Sequence, residues 1–165
     1  MKGSTAGFAE RLFGSQNQIA IMDHLAEWTR LHLDARFASA QLYDHKRKRL
    51  RVVAQREFAP GLQFGEIPIT SGTVCARAAR LQMPILIPDV TRDEDWIPFL
   101  SFSESAGFGG VLSIPLLSRA GNLIGVTSCH FSGHAKPTKT EMNFVRASCE
   151  FASDAIIEIR RMAAL

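Results

Sequence analysis

Cysteine, tyrosine and long apolar runs are the scarce features of this 165-residue chain, which has three cysteines and one tyrosine. Cys75, Cys129 and Cys149 are odd in number and irregularly spaced, and no Cys-x-x-Cys pair occurs. That suggests neither a disulfide framework nor a zinc site and fits a reducing compartment. No apolar run reaches the length needed to span a bilayer. The first residues lack the basic, apolar and small-residue order of a secretory signal, so the expected location is cytoplasmic, with no membrane partner. Basic charge is scarcer than the net +3 suggests. Lys46, Arg47, Lys48, Arg49 and Arg51 form one run, and outside it acidic residues outnumber basic ones. A solvated hairpin turn accounts for that run better than a nucleic-acid face, which spreads cations over a surface among aromatics. No nucleic-acid partner is expected.

What is present is an ordinary globular composition, 46% hydrophobic and 21% charged, at a length that gives one domain. Residues 17–163 are expected to be that domain and residues 1–16 an N-terminal extension. Apolar groups recur at helical spacing over 17–34 (Ile19, Met22, Ala26 and Leu33 on one line; Ile21, Leu25 and Trp28 on another). Residues 36–43 and 50–58 alternate as two strands around the basic turn. Pro60-Gly61 marks a turn, 65–69 a short strand, and Ser71 is expected to N-cap a short helix. Strand 84–87, an acidic loop and a helix over 96–105 come next. Two strands around Arg119-Ala-Gly-Asn122 complete a hairpin. Thr138 with Glu141 is a capping-box signature opening a last helix that carries Met142, Val145, Cys149, Ala152, Ile156 and Ile159 at alternating spacings of three and four. The fold class is α+β: an antiparallel sheet with the terminal helices on one face. The helical stripe has two readings, packing on the sheet alone or also pairing with a second subunit.

The segments Gly72 to Cys75, Asp89-Val90, Ala106-Gly107-Phe108, Ser113 to Arg119, Ser128 to Phe131 and Pro137-Thr138 occur in an order that resembles the GAF domain. The resemblance is to the subtype found in bacterial sensor histidine kinases and related two-component proteins. It implies a GAF-like central sheet, a small-molecule pocket built by short helices and loops on the face away from the terminal helices, and dimerising helices that carry a signal onward. A homodimer and a histidine kinase or other signalling effector are the implied partners. Ligand and cofactor stay unidentified, and the chain is either an excised module or a stand-alone regulator.

Strand alternation sets Val126, Ser128 and His130 on one face and Thr127, Cys129 and Phe131 on the other. The Gly125-to-His130 segment resembles the phytochrome version of the domain, which implies that Val111, Ser113, Ser128 and His130 form the pocket floor. Asp89, Trp96, Phe99 and Phe108 are expected as walls or lid, with Cys75 at the rim. For His130 a packed strand histidine is the plainer alternative. Pro98 and Phe99 stand where phytochromes of the plant and cyanobacterial type carry Cys-His, which argues against a covalent bilin. A cyclic-nucleotide signature is missing. The remaining alternatives are a thiol enzyme resembling free methionine sulfoxide reductase, and a ligand-free dimerisation or docking module. The first matches at Cys75 and Asp89, but Glu104 and Gly65 stand where the other two cysteines of that family fall. Cys75 near a helix start is read either as a thiolate favoured by the helix dipole or as a small packed side chain.

Overall fold

One antiparallel sheet organises the chain. The computed structural model describes residues 4–62 and 65–165. In chain order it has α1 (Thr5–Gly14), α2 (Gln18–His32), β1 (Phe37–Asp44), β2 (Arg49–Arg56), β3 (Glu66–Pro68), α3 (Val74–Leu81) and β4 (Ile85–Ile87). Two 3-10 turns, Val90–Arg92 and Glu94–Phe99, lead into α4 (Leu100–Ala106), and β5 (Gly110–Leu117), β6 (Leu123–Phe131) and α5 (Lys139–Ala163) follow. The six strands lie in the order β3-β2-β1-β6-β5-β4, and every pairing is antiparallel. The α+β class and the hairpins expected from the sequence are what the chain forms.

Strand alternation divides the sheet into two chemically different faces. On the first, Ala38, Ala40, Leu42, Leu112, Ile114, Leu116, Ile124 and Cys129 pack against Met22, Leu25, Ala26, Val145, Cys149, Ala152 and Ile156 of α2 and α5. The small side chains of β1 let α2 lie close to the sheet. Gly125 serves the same purpose: a Cβ there would collide with the Gln41 carbonyl and come within 3.2 Å of Met22 Cε. The capping box at Thr138 and Glu141 forms as expected and fixes the start of α5.

Three local expectations are corrected. Ser71 does not cap α3; Thr73 holds the N-cap position, and Ser71 Oγ instead accepts from Thr73 N at 3.1 Å, closing the turn before the helix. Gly72 sits so close to Asp95 that a Cβ would lie 2.7 Å from its carbonyl oxygen, which keeps the turn tight and delays the helix. The helix expected over 96–105 begins as the 3-10 turn through Pro98, which has no N–H for an α-helical bond, and becomes α-helical only at Leu100. The second strand ends at Arg56 rather than 58, because Glu57 takes a φ of +67°.

Helix α1 falls in the segment expected as an extension, yet its Phe8 and Leu12 are fully buried. Phe8 stacks on Trp28 at 4.4 Å, while Trp28 Nε1 donates to Ser148 Oγ of α5 at 3.0 Å. One aromatic column thus ties three helices together. Phe8→Ala should lower unfolding stability by about 3 kcal/mol, since it leaves a cavity against Trp28; urea unfolding followed by Trp28 fluorescence measures this, and a change below about 1 kcal/mol would show that α1 is dispensable to the core.

Candidate functional site

The second face of the sheet carries polar side chains in a buried setting. Ser39 and Gln41 of β1, Ser113 of β5, and Ser128 and His130 of β6 are all at most 5% exposed. They adjoin because the register sets Ser39 opposite Ser128 and Ser128 opposite Ser113. Ser113 Oγ and Ser128 Oγ share a 2.7 Å hydrogen bond, and Gln41 Nε2 donates to Ser39 Oγ at 2.9 Å. These five residues floor a cavity of about 30 Å³, room for about one water molecule. Ile67, Thr73, Val74 and Cys75 line one side, and Trp96, Phe99 and Phe102 cover it.

Among the described residues, two floor atoms have no hydrogen-bond partner although both are buried: Gln41 Oε1 and His130 Nδ1. A third such atom, Arg77 Nε, belongs to a side chain that does not line the cavity. Burial pushes the His130 imidazole down to about 3, while the neighbouring Phe37 backbone acts the other way, so the ring is neutral at pH 7. Edge contacts with Phe108 at 4.7 Å and Phe58 at 5.2 Å fix the ring plane.

The lid is pinned at its first turn. Arg77 of α3 makes a two-pronged ion pair with Asp93 at 2.9 and 3.0 Å and reaches Asp95 at 3.7 Å. Asp93 Oδ1 also accepts from Trp96 N at 3.0 Å, and Trp96 Nε1 donates to Ser103 Oγ at 3.2 Å. Beyond Trp96 the cover is aromatic: Trp96 meets Phe99 at 5.3 Å and Phe108 at 5.9 Å.

Of the residues anticipated from sequence, Cys75, Trp96, Phe99, Val111, Ser113, Ser128 and His130 surround this cavity. Phe108 packs behind His130 in the hydrophobic layer without reaching the cavity. Asp89 lies elsewhere. Its carboxylate accepts from Thr91 Oγ1 at 2.7 Å and Thr91 N at 3.0 Å, and it pairs with His134 at 3.3 Å and Arg92 at 3.5 Å in a shallow surface groove. The Thr91 hydroxyl and N–H, then His134 and Arg92, hold it below the usual carboxylate range. Ser39, Gln41, Ile67, Thr73, Val74 and Phe102 were not anticipated. The signal for the first two was in the chain: Ala38, Ala40 and Leu42 alternate with Ser39 and Gln41, so a central strand had to bury one polar face.

Cys75 is a protonated thiol. Burial pushes it up, against weaker opposing hydrogen bonds from Thr73 and the start of α3. Cys129 is pushed up to about 12 and Cys149 higher by burial, and both lie in the core shared with the terminal helices, across the sheet from Cys75. Among the described residues no cluster of three or more His, Cys, Asp or Glu could hold a metal ion, and no helix is long and apolar enough to cross a membrane.

The sequence model of the GAF domain matches residues 12–156. The chain belongs to the GAF domain family. Solved structures share its fold at low identity. Free methionine-R-sulfoxide reductase from Neisseria meningitidis, in complex with its substrate, matches with a TM-score of 0.78 and 18% identity, covering 96% of this chain and 88% of that one. The GAF domain of a phosphoenolpyruvate-protein phosphotransferase from Coxiella burnetii matches with a TM-score of 0.78 and 16% identity, covering 97% and 94%. A domain of a two-component sensor histidine kinase protein described as putative, from Sinorhizobium meliloti, matches with a TM-score of 0.71 and 18% identity, covering 87% and 93%. No curated protein sequence matches the chain. These likenesses establish the GAF fold, and the family sets a sensory or regulatory context.

The depressed His130 pKa makes a signed prediction. The unfolded histidine takes up a proton near pH 6.5 and the folded one only near 3, so its contribution is fully present above about 6.5 and is lost as pH falls from there toward 3. Wild-type unfolding free energy should therefore drop over pH 6.5–4.5 more steeply than that of His130→Phe; parallel denaturant titrations measure the difference, and superimposable profiles would show that His130 is not held neutral.

Proposed function

We propose that this GAF domain is a non-catalytic sensory unit that binds a small molecule between the polar floor and the aromatic lid. The observation carrying this reading is the buried floor itself, with Gln41 Oε1 and His130 Nδ1 left unpartnered inside a cavity. A buried polar atom without a partner costs about 1–3 kcal/mol, a cost that a bound ligand removes. With the lid as placed the space is about 30 Å³, so ligand entry requires Phe99 and Phe102 to move.

The lid shares a hinge with the last helix, which supports a route for the signal. Asp89 and Val90 begin the lid segment, and Val90 N donates to Gly109 O at 2.9 Å. The loop leading into α5 is tied to the same place: Ala135 N donates to Pro88 O at 3.2 Å and His134 reaches Asp89 at 3.3 Å. A lid that shifts on binding displaces the root of α5. Leu31 of α2 and Phe151 of α5 stay exposed, at 42% and 38%, which favours pairing of these helices in a homodimer that hands the change to a cytoplasmic signalling effector such as a histidine kinase.

A thiol reductase like the Neisseria meningitidis neighbour fits the chain less well. Thiol exchange needs reachable thiolates within disulfide distance. Here one buried, protonated Cys75 faces the cavity, and Cys129 and Cys149 lie beyond the sheet. NADPH consumption with free methionine sulfoxide and a thioredoxin system, abolished in Cys75→Ser, would reverse this assignment.

The small-molecule fraction of the host cell should raise the melting midpoint of the wild-type protein by several degrees. His130→Ala should fold but lose that shift. Stabilisation of the same size in His130→Ala would remove the cavity from the account, and no shift in either protein would favour a ligand-free docking module.

A further inference from the structure

The chemistry of the cavity wall narrows its occupant. None of the thirteen residues lining it is charged at neutral pH. His130 is neutral, Cys75 is a thiol, and the guanidinium nearest in sequence, Arg77, is held by Asp93 and Asp95. The favourable field inside comes from the start of α3, where Thr73, Val74 and Cys75 line the cavity and the helix has no side-chain cap. A helix N-terminus amounts to about half an elementary charge. That suits a carbonyl oxygen and falls short of what a desolvated carboxylate or phosphate requires without a cation beside it. An ammonium fares worse, since among the described residues no carboxylate lines the cavity.

Gln41 adds direction. Its Nε2 is committed to Ser39 Oγ at 2.9 Å, so the free end of the amide is Oε1, an acceptor. An acceptor in a closed space calls for an N–H or O–H on the ligand. Neutral His130 offers a second contact at Nδ1, donor or acceptor according to tautomer. Over this floor lie the aromatic side chains of Trp96, Phe99 and Phe102, which favour a planar group.

We infer that the occupant is an uncharged, planar carboxamide- or lactam-like molecule whose N–H bonds to Gln41 Oε1 beneath the aromatic lid. This rests on the reading of the cavity as a small-molecule site. Anions and cations of the same shape are rejected for want of a counter-charge, and ketones of the same shape leave Gln41 unsatisfied.

Four probes of one shape separate these terms: benzamide, benzoate, benzylammonium and acetophenone, titrated into isotope-labelled wild-type protein with amide resonances of the floor and lid followed by NMR. Benzamide should bind at least tenfold more tightly than each of the others, and Gln41→Leu should erase its advantage over acetophenone. Benzoate or benzylammonium binding as tightly as benzamide would overturn the uncharged assignment while leaving the cavity a ligand site. Equal binding of acetophenone and benzamide by the wild type would overturn the role of Gln41 without recourse to any variant. If none of the four moves a floor or lid resonance at millimolar concentration, both the ligand class and the site fall.

Discussion

Two polar atoms sealed into a sheet without partners, Gln41 Oε1 and His130 Nδ1, are the constraint around which this domain is arranged. Neither has a partner among the described residues, and left without any hydrogen bond each would cost roughly 1–3 kcal/mol. A marginally stable domain of this size holds about 5–15 kcal/mol in total, so the two atoms are a sizeable charge against it. Apolar packing elsewhere offsets such a cost. On the opposite face, alanines and a glycine bring α2 and α5 close to the strands, and the column of Phe8, Trp28 and Phe144 ties the helices together.

The two faces of the sheet are covered differently. Behind the sheet, the long helices α2 and α5 pack on strand side chains along their length. In front, the cover consists of short helical pieces, two 3-10 turns and the seven-residue α4, joined to the body by the Arg77–Asp93 ion pair and by Trp96. Such pieces have few long-range backbone hydrogen bonds of their own and open at low cost. Contacts of Pro88 with Ala135 and of Asp89 with His134 join the start of the cover to the loop that leads into α5.

Much of this was legible in the residues. Regular periodicity gave both long helices, and the capping box at Thr138 and Glu141 located the start of α5. Alternation in β5 and β6 placed Val111, Ser113, Ser128 and His130 on one face, where they lie. The less legible parts depend on contacts distant in sequence. Gln41 shows its role only when β1 is known to be a central strand, between β2 and β6. The acidic loop concealed Asp93, whose partner Arg77 sits on another element. Asp89 looked like a pocket residue from its place at a strand end, but the next turn carries its side chain outward, toward His134. Cys75 stands near a helix start, and burial outweighs the dipole there, leaving a thiol.

The most direct test of the central claim needs no ligand. Gln41 is fully buried in a central strand, so a structural glutamine replaced by leucine would lose a hydrogen-bonding role and destabilise the domain. A glutamine kept for a ligand carries an unsatisfied oxygen, and its removal relieves a cost. Gln41→Leu relieves Oε1 but also removes the Nε2 hydrogen bond to Ser39 Oγ, so equilibrium denaturation should give an unfolding free energy within about 1 kcal/mol of the wild type. A loss of about 3 kcal/mol or more would mean that the polar floor is a structural network and that the account of the site is wrong.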